Sequence, residues 1–554
     1  MEKCSRAIED SLTARSVTTF QHIGNSGGSP TLSQPFQLPP NLNKFHAMKT
    51  SAEIASRRSI LKAAAAGCGM MTQASLVSTL LNLQATKAAV AAGGGGGGYK
   101  AMVCLFLYGG NDSFNMLVPR NNPSSNNPAE YDDYASARGG YDDDVNNPGG
   151  LALKESDLLA INDPSNLSGR SFGLHPHLGH DARDDTSTNV NNGVNGGVAK
   201  LYNDGKLSFV ANIGSLVEPT NRTDYDNRSN LPLGLFSHAD LQRHWMTGAP
   251  HTRSQITGWG GRMADLLAST NQNPNVSMNV SINGVNMFQN GNNVTPYIIG
   301  QNGATEVTYY KTNNKQNRMF KTNMDNILNQ TYSNLLAKTF AETNRNSIDA
   351  AIDFNEKVDN VEITTKFDPE SLSQRFKKIA QVIGASSTLQ QNRQVFFISL
   401  GGFDNHADLI EAQEGLMPQI SRALGSFDAA MTELGCADDV VTFTASDFAR
   451  TLGSNGKGSD HAWGGQQLVM GGGVDGGKVF GDFPISLTSP IDPTNGNLDL
   501  GRGRLIPTTS VDELAAELAM WFGVDNASDL DLVLPNIGRF YSYNAGSPPL
   551  GIFS

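Results

Sequence analysis

Six carboxylate and imidazole side chains follow apolar runs of the sequence in a pattern that suits metal binding. They are Asp112, Asp404, His406, Asp447, Asp460 and His461. The first follows the run 100–108, the next two follow the run 395–400, and the last three follow the run 440–444. Oxygen and imidazole ligands bind divalent cations such as zinc, calcium or manganese. The spacing therefore predicts a metal site, of unspecified metal, that these six residues form.

The apolar runs predict the elements that bring these side chains together. Short, β-branched runs that stop at polar clusters are typical of buried strands in an α/β sheet. Helical periodicity at 367–383 and 416–434 predicts helices that flank the sheet. Ligands of open α/β sheets bind outside the carboxyl ends of the strands, which is where the six residues fall. Asp404 or His406 alone would be explained as well by an ordinary surface loop, so the metal hypothesis depends on the whole set.

The predicted fold is α/β, with a mainly parallel central sheet flanked by helices and interrupted by loop and cap insertions. One such domain is expected to span residues 99–554. The interval 271–366 carries little concentrated chemistry and is expected to be an insertion or cap. Residues 121–166 are rich in Asn, Asp, Tyr and Gly, which predicts a long surface excursion.

The first 98 residues are expected to be an export region and a glycine linker, cleaved or disordered. Arg57 and Arg58 precede an alanine-rich apolar run, small residues follow at 88–92, and six glycines occupy 93–98. This pattern is typical of a twin-arginine signal, which implies the twin-arginine translocation machinery as a partner and a periplasmic or secreted location. Polar and glycine residues interrupt the run, so no permanent membrane span is expected. Translation begins at Met1 or at Met48.

Composition and glycine motifs exclude two further classes of function. The net charge is −12 and no basic stripe occurs in the body of the chain, so nucleic acid is not an expected partner. The glycine-rich stretch 471–478 matches a nucleotide-binding pattern, but no helix is predicted after it to hold a phosphate. We therefore interpret that stretch as a β-turn.

A series of short motifs, in order, resembles the domain-of-unknown-function 1501 family over residues 99 to the end. The motifs lie at 107–112, 173–176, 236–240, 258–262, 401–406, 446–451, 458–461 and 476–479. The family is typically exported and is placed with the alkaline phosphatase/sulfatase superfamily. The resemblance thus implies an alkaline-phosphatase-like sheet with two metal ions at its edge and a hydroxyl nucleophile at a helix N-terminus.

Carried over to this sequence, the resemblance implies a hydrolase of phosphate or sulfate esters, acting on a small molecule or a polymer. Ser237, His238 and Arg450 are the candidate catalytic residues. Ser237 is the candidate nucleophile and Ser113 is the alternative, while Arg450 or Arg262 would offset the developing charge. The chain departs from the phosphatase pattern, because it has Asp404-x-His406 and Asp447-Phe448 where alkaline phosphatases have Asp-x-x-x-His and Asp-His. A non-catalytic envelope or polymer-binding protein that retains the fold is therefore the alternative function.

Overall fold

The computed structural model describes residues 98–145, 149–182, 191–308, 310 and 314–553. All of them belong to one compact unit, residues 76–554. The predicted signal, its twin arginines and both candidate start residues lie outside the described residues. Among the helices in this part of the chain, none is long and apolar enough to cross a membrane.

The structure contains thirteen strands and twelve α-helices in the described ranges. The strands are β1 (Lys100–Tyr108), β2 (Leu117–Arg120), β3 (Leu159–Ala160), β4 (Ser171–Leu174), β5 (Leu207–Gly214), β6 (Asn279–Ser281), β7 (Tyr297–Gly300), β8 (Gly303–Ala304), β9 (Arg393–Gly401), β10 (Val440–Ser446), β11 (Gly465–Gly471), β12 (Val479–Gly481) and β13 (Thr509–Ser510). The helices are α1 (Glu130–Ala137), α2 (Gly197–Asn203), α3 (Arg222–Asp226), α4 (His238–Thr247), α5 (Trp259–Leu267), α6 (Lys315–Leu328), α7 (Leu335–Asp359), α8 (Ser371–Gly384), α9 (Ser386–Leu389), α10 (Leu409–Glu433), α11 (Val511–Phe522) and α12 (Ala527–Val533).

A ten-stranded, mainly parallel sheet forms the centre of the fold. Its order is β12-β5-β11-β10-β1-β9-β6-β7-β8, with β13 also paired to β5. Strand β1 lies parallel between β9 and β10, and β11 is antiparallel to both β10 and β5. Side chains on both faces of β1 are buried, from Ala101 to Leu107, because helices cover the sheet on each side. The predicted α/β class with a mainly parallel central sheet is confirmed.

The strands predicted from apolar runs are present and are neighbours. The runs 395–400 and 440–444 became β9 and β10, the two partners of β1. Helices α8 and α10 occupy the two intervals with helical periodicity. Parallel neighbours end at the same edge, so the polar segments after β1, β9 and β10 meet there.

Two predicted surface segments contribute more to the fold than their composition indicates. The interval 271–366 supplies β6, β7 and β8 to one edge of the sheet and continues into helices α6 and α7. The predicted excursion 121–166 contains α1, whose Tyr134 is fully buried, and is followed at once by Arg138, which is also fully buried. Buried tyrosines and a buried ion pair anchor this segment, which a polar average composition cannot reveal.

Candidate metal centre

Close packing of three loops forms the edge of the sheet at which the predicted residues lie. Gly109 has a φ of 119°, and a Cβ there would lie 2.4 Å from the amide nitrogen of Asp404. Gly110 has a φ of 82°, and its Cβ would lie 2.3 Å from the ring of Phe448. Only glycine tolerates both the backbone conformation and this approach. The glycines after β1 therefore let the segments after β9 and β10 come together.

Four donor atoms converge at this edge. Oδ1 of Asp404 lies 3.2 Å from Nε2 of His406 and 3.5 Å from Nε2 of both His238 and His461. The Nε2 atoms of His406 and His461 are 3.0 Å apart. Among the described residues, the group of metal-ligand type whose atoms all lie within 4.8 Å of one another is His238, Asp404 and His461. His406 adds a fourth donor on the exposed side.

Each imidazole is oriented by a hydrogen bond from its other nitrogen. Nδ1 of His461 donates to the Phe236 carbonyl at 2.8 Å, which leaves Nε2 as the unprotonated atom of the neutral ring. Nδ1 of His238 bonds to Oδ2 of Asp447 at 2.6 Å, and Nδ1 of His406 lies 3.2 Å from Oδ1 of Asp460. Such outer partners fix the tautomer of metal-binding histidines.

The oriented rings therefore direct lone pairs at each other and at a carboxylate. Nε2 of His406, Nε2 of His461 and Oδ1 of Asp404 are all acceptors when the imidazoles are neutral. Acceptors about 3 Å apart repel unless a proton or a cation lies between them. Donors around a tetrahedral ion with bonds of about 2.0–2.1 Å are separated by about 3.4 Å. The separations of Oδ1 of Asp404 from Nε2 of His238 and of His461, both 3.5 Å, suit such an ion, and these three residues form the mutually close set.

Positive groups behind the cluster keep its carboxylates charged. Burial raises the pKa of Asp404, but the hydrogen bond and charge of Arg450 outweigh it, so the net pKa is lowered. For Asp460, burial likewise opposes hydrogen bonds from Arg502, Asn455 and His406, and the net pKa falls to about 2. Burial also lowers the pKa of His461, against the opposing effect of the Phe236 carbonyl, which favours the neutral ring that a metal needs.

Asp447 and Asp460 orient the imidazoles of His238 and His406 and are not among the four converging donors. Asp447 is fully buried, and its Oδ2 accepts from both His238 and Gln242, the latter at 2.8 Å. Asp460 contacts His406 and Arg502. Three of the six predicted ligands, Asp404, His406 and His461, thus bring donor atoms to the shared face, and His238 joins them.

Asp112 is not brought to this face, although it follows the central strand as predicted. Its Oδ2 forms a buried ion pair with Arg138, whose Nη1 also donates to the carbonyls of Thr451 and Leu452. The guanidinium supplies the positive charge that a cation was expected to supply. Arg138 follows α1, in the segment predicted to be a surface excursion, so no local pattern indicated a buried partner for Asp112 there.

The predicted arginines are committed to protein acceptors. Arg450 is fully buried and donates to the carbonyls of Gly109, Gly110, Phe403 and Ser459 as well as to Asp404. Arg262 donates to the carbonyls of Thr247, Thr257 and Val533. The geometry makes Arg450 the residue that positions Asp404, whereas direct contact of either arginine with a substrate stays a prediction.

Ser237 is the N-cap of α4, as predicted, and is half-buried. Its hydroxyl bonds to Asp240, whose pKa is lowered chiefly by Arg253, with burial opposing and Ser237 adding to the decrease. Its role as nucleophile stays a prediction. The alternative, Ser113, is 1% exposed, and its hydroxyl bonds the side chain of Gln466 at 2.7 Å, so it is enclosed in the core.

Sequence reasoning missed several groups that complete the centre. The Phe448 ring lies 4.8 Å from the His238 ring and 4.5 Å from the His461 ring, centroid to centroid. Gln242 is one turn along α4 from His238, an i, i+4 relation that could have identified it as a second partner of the same carboxylate. The Phe236 carbonyl gave no signal, since any residue carries one.

The fold and the site together define an α/β protein that carries an imidazole-rich cluster at the carboxyl edge of its sheet. The chain belongs to the family described as "Protein of unknown function (DUF1501)", whose model matches residues 99–528. No curated protein is significantly similar to it.

Two solved structures are among those that match this chain weakly. One, of Ps i-CgsB in complex with k-i-k-neocarrahexaose, has 12% identity and a TM-score of 0.28, covering 59% of this chain and 66% of that one. The other, the PsFucS1 sulfatase from Pseudoalteromonas sp., has 11% identity and a TM-score of 0.26, covering 80% and 75%.

Proposed function

We propose that this protein is a metal-dependent hydrolase of phosphate or sulfate esters, of the alkaline phosphatase/sulfatase type. The observation that carries the proposal is the cluster of Nε2 atoms from His238, His406 and His461 around Oδ1 of Asp404, each ring oriented by a protein acceptor. An imidazole-dominated donor set favours zinc or a similar transition ion over calcium. The mutually close donors of His238, Asp404 and His461 support one ion, with His406 beside it, where the family resemblance implies two.

A bound ion would act as a Lewis acid on an ester oxygen. The chain's own residues prepare that site. Arg450 fixes Asp404, while Asp447, Asp460 and the Phe236 carbonyl fix the three rings. The N-terminus of α4, which begins at His238, adds a partial positive charge beside the centre. Ser237 remains the candidate for the attacking hydroxyl.

Metal content after gentle purification tests the centre first. We expect about one transition ion per chain in the wild type and its loss in His461→Ala. His251→Ala is the matched control, since His251 is an exposed histidine that is not among the clustered donors. An unchanged metal content in His461→Ala would reject the centre.

Hydrolysis is tested with phosphate and sulfate mono- and diesters, each with added zinc, manganese or calcium. Turnover that His461→Ala abolishes and His251→Ala retains would support the proposal. A protein that binds metal but hydrolyses no ester in the panel would instead be the non-catalytic, polymer-binding member of the fold.

We also propose that the protein acts after twin-arginine export, in the periplasm or outside the cell. Arg57, Arg58 and the alanine-rich run after them support this. Replacing both arginines with lysine should leave the precursor in the cytoplasm, as followed by fractionation and immunoblotting. Normal delivery of the double variant would rule the proposal out.

A further inference from the structure

Two arginines from one hairpin lie beside the cluster and differ in what they bind. The hairpin is closed by a bridge between Asp499 and Leu505. Arg502 pairs with Asp460 through Nη1. Arg504 donates from Nε to the carbonyl of His461 at 3.0 Å. Arg504 thus contacts the backbone of His461, a residue of the proposed centre, and does not pair with a carboxylate.

The charge of Arg504 has no carboxylate partner among the described residues. The one side-chain hydrogen bond of Arg504 to the described residues uses Nε, which leaves both terminal nitrogens without an acceptor among those residues. Arg450 and Arg502, by contrast, each pair with a carboxylate of the site. A half-buried guanidinium without a counter-charge suits an anionic ligand, because the planar fork binds a tetrahedral oxyanion through two parallel hydrogen bonds.

Phe236 contacts both the guanidinium of Arg504 and the imidazole of His461. Its carbonyl accepts from His461 Nδ1 at 2.8 Å, and the centroid of its ring lies 5.5 Å from Cζ of Arg504. Phe236 has a φ of 73°, a conformation that costs a bulky residue energy. The strained backbone directs the carbonyl to His461 while the ring supports Arg504 through a cation–π contact.

We propose that Arg504, supported by the Phe236 ring, is the specificity-determining residue that binds a sulfate or phosphate group of the substrate beside the metal centre. This inference rests on the proposed function, since it assigns the anionic group of the same ester substrates. The group is either the reacting ester itself or a second anionic substituent next to it. In both cases the ligand is a tetrahedral oxyanion bound by the two terminal nitrogens of Arg504.

Calorimetric titration with inorganic sulfate and with inorganic phosphate tests the subsite on the full chain, with and without zinc. Arg504→Gln should weaken binding of the anion about 10-fold or more, as expected for loss of a bidentate charged contact, and leave zinc affinity unchanged. Phe236→Gly keeps the backbone conformation and the carbonyl, so it should weaken the anion by a few fold and also retain zinc. Arg539→Gln is the control, because Arg539 pairs with Glu218 and contacts none of the clustered donors.

Esters of a neutral alcohol and esters that carry a second sulfate or phosphate distinguish the two sources of the group. If Arg504→Gln raises KM for both kinds of ester, Arg504 binds the reacting group. If it raises KM only for the ester with a second sulfate or phosphate, Arg504 binds that second group. Unchanged anion affinity in Arg504→Gln, or no anion binding by the wild type in either metal state, overturns the subsite. Absence of bound zinc with anion binding still dependent on Arg504 would instead reject the proposed function and keep the subsite.

Discussion

The contact between Asp447 and His238 gives the sharpest test of how the centre is built. Asp447→Asn keeps the size of the side chain but removes the charge that orients the ring. Asp447 is fully buried and accepts from Nδ1 of His238 at 2.6 Å, and a hydrogen bond to a charged group contributes about 1.5–3 kcal/mol. We therefore expect zinc affinity to fall about 10- to 100-fold, or about 1.4–2.7 kcal/mol.

Competition for zinc against a chromogenic chelator measures this loss. Asp531→Asn, a change at an exposed carboxylate, should keep the wild-type affinity. Thermal melts in excess chelator provide the second control, because the variant must be folded without metal for its affinity to be meaningful. Release of the ion on simple dialysis would show that Asp447 is itself a ligand, as the sequence predicts. An affinity within about threefold of the wild type would refute the orienting role.

Three further predictions concern stability. Burial raises the pKa of Asp512 to about 7, so this group stabilises the fold less as pH rises from about 4 to about 7. Asp512→Asn should remove up to about 3 kcal/mol of the difference in unfolding free energy between pH 5 and pH 8, measured by urea unfolding at these two pH values. Gly110→Ala should cost about 1–3 kcal/mol in the same assay and weaken zinc binding, because its Cβ would displace Phe448; unchanged unfolding would contradict the close approach. Glu517 accepts four backbone N–H groups from residues 550–553, so Glu517→Gln should expose the C-terminal residues to carboxypeptidase, and equal digestion of both proteins would count against this anchor.

The strands that carry the site could be predicted because their signal is local. The runs that became β1, β9 and β10 are almost wholly apolar and end at polar clusters, so both their state and their ends are encoded in a few residues each. Parallel strands end at a common edge, and this rule alone brings Asp404 and His406 near His461. The composition of 121–166 predicts a surface excursion and does not reveal the few buried side chains, such as Arg138, that anchor this segment.

The sequence by itself determined the α/β class, the central strands and the set of polar segments that meet at one edge, since hydrophobic periodicity and strand direction suffice for these. Only the tertiary structure decided the role of each side chain. Asp112 is neutralised by Arg138, Asp447 orients His238, and Phe236 directs its carbonyl at His461. The physical reason is that a side chain's direction beyond a strand end depends on loop backbone angles and on partners hundreds of residues away, and neither is encoded in local spacing.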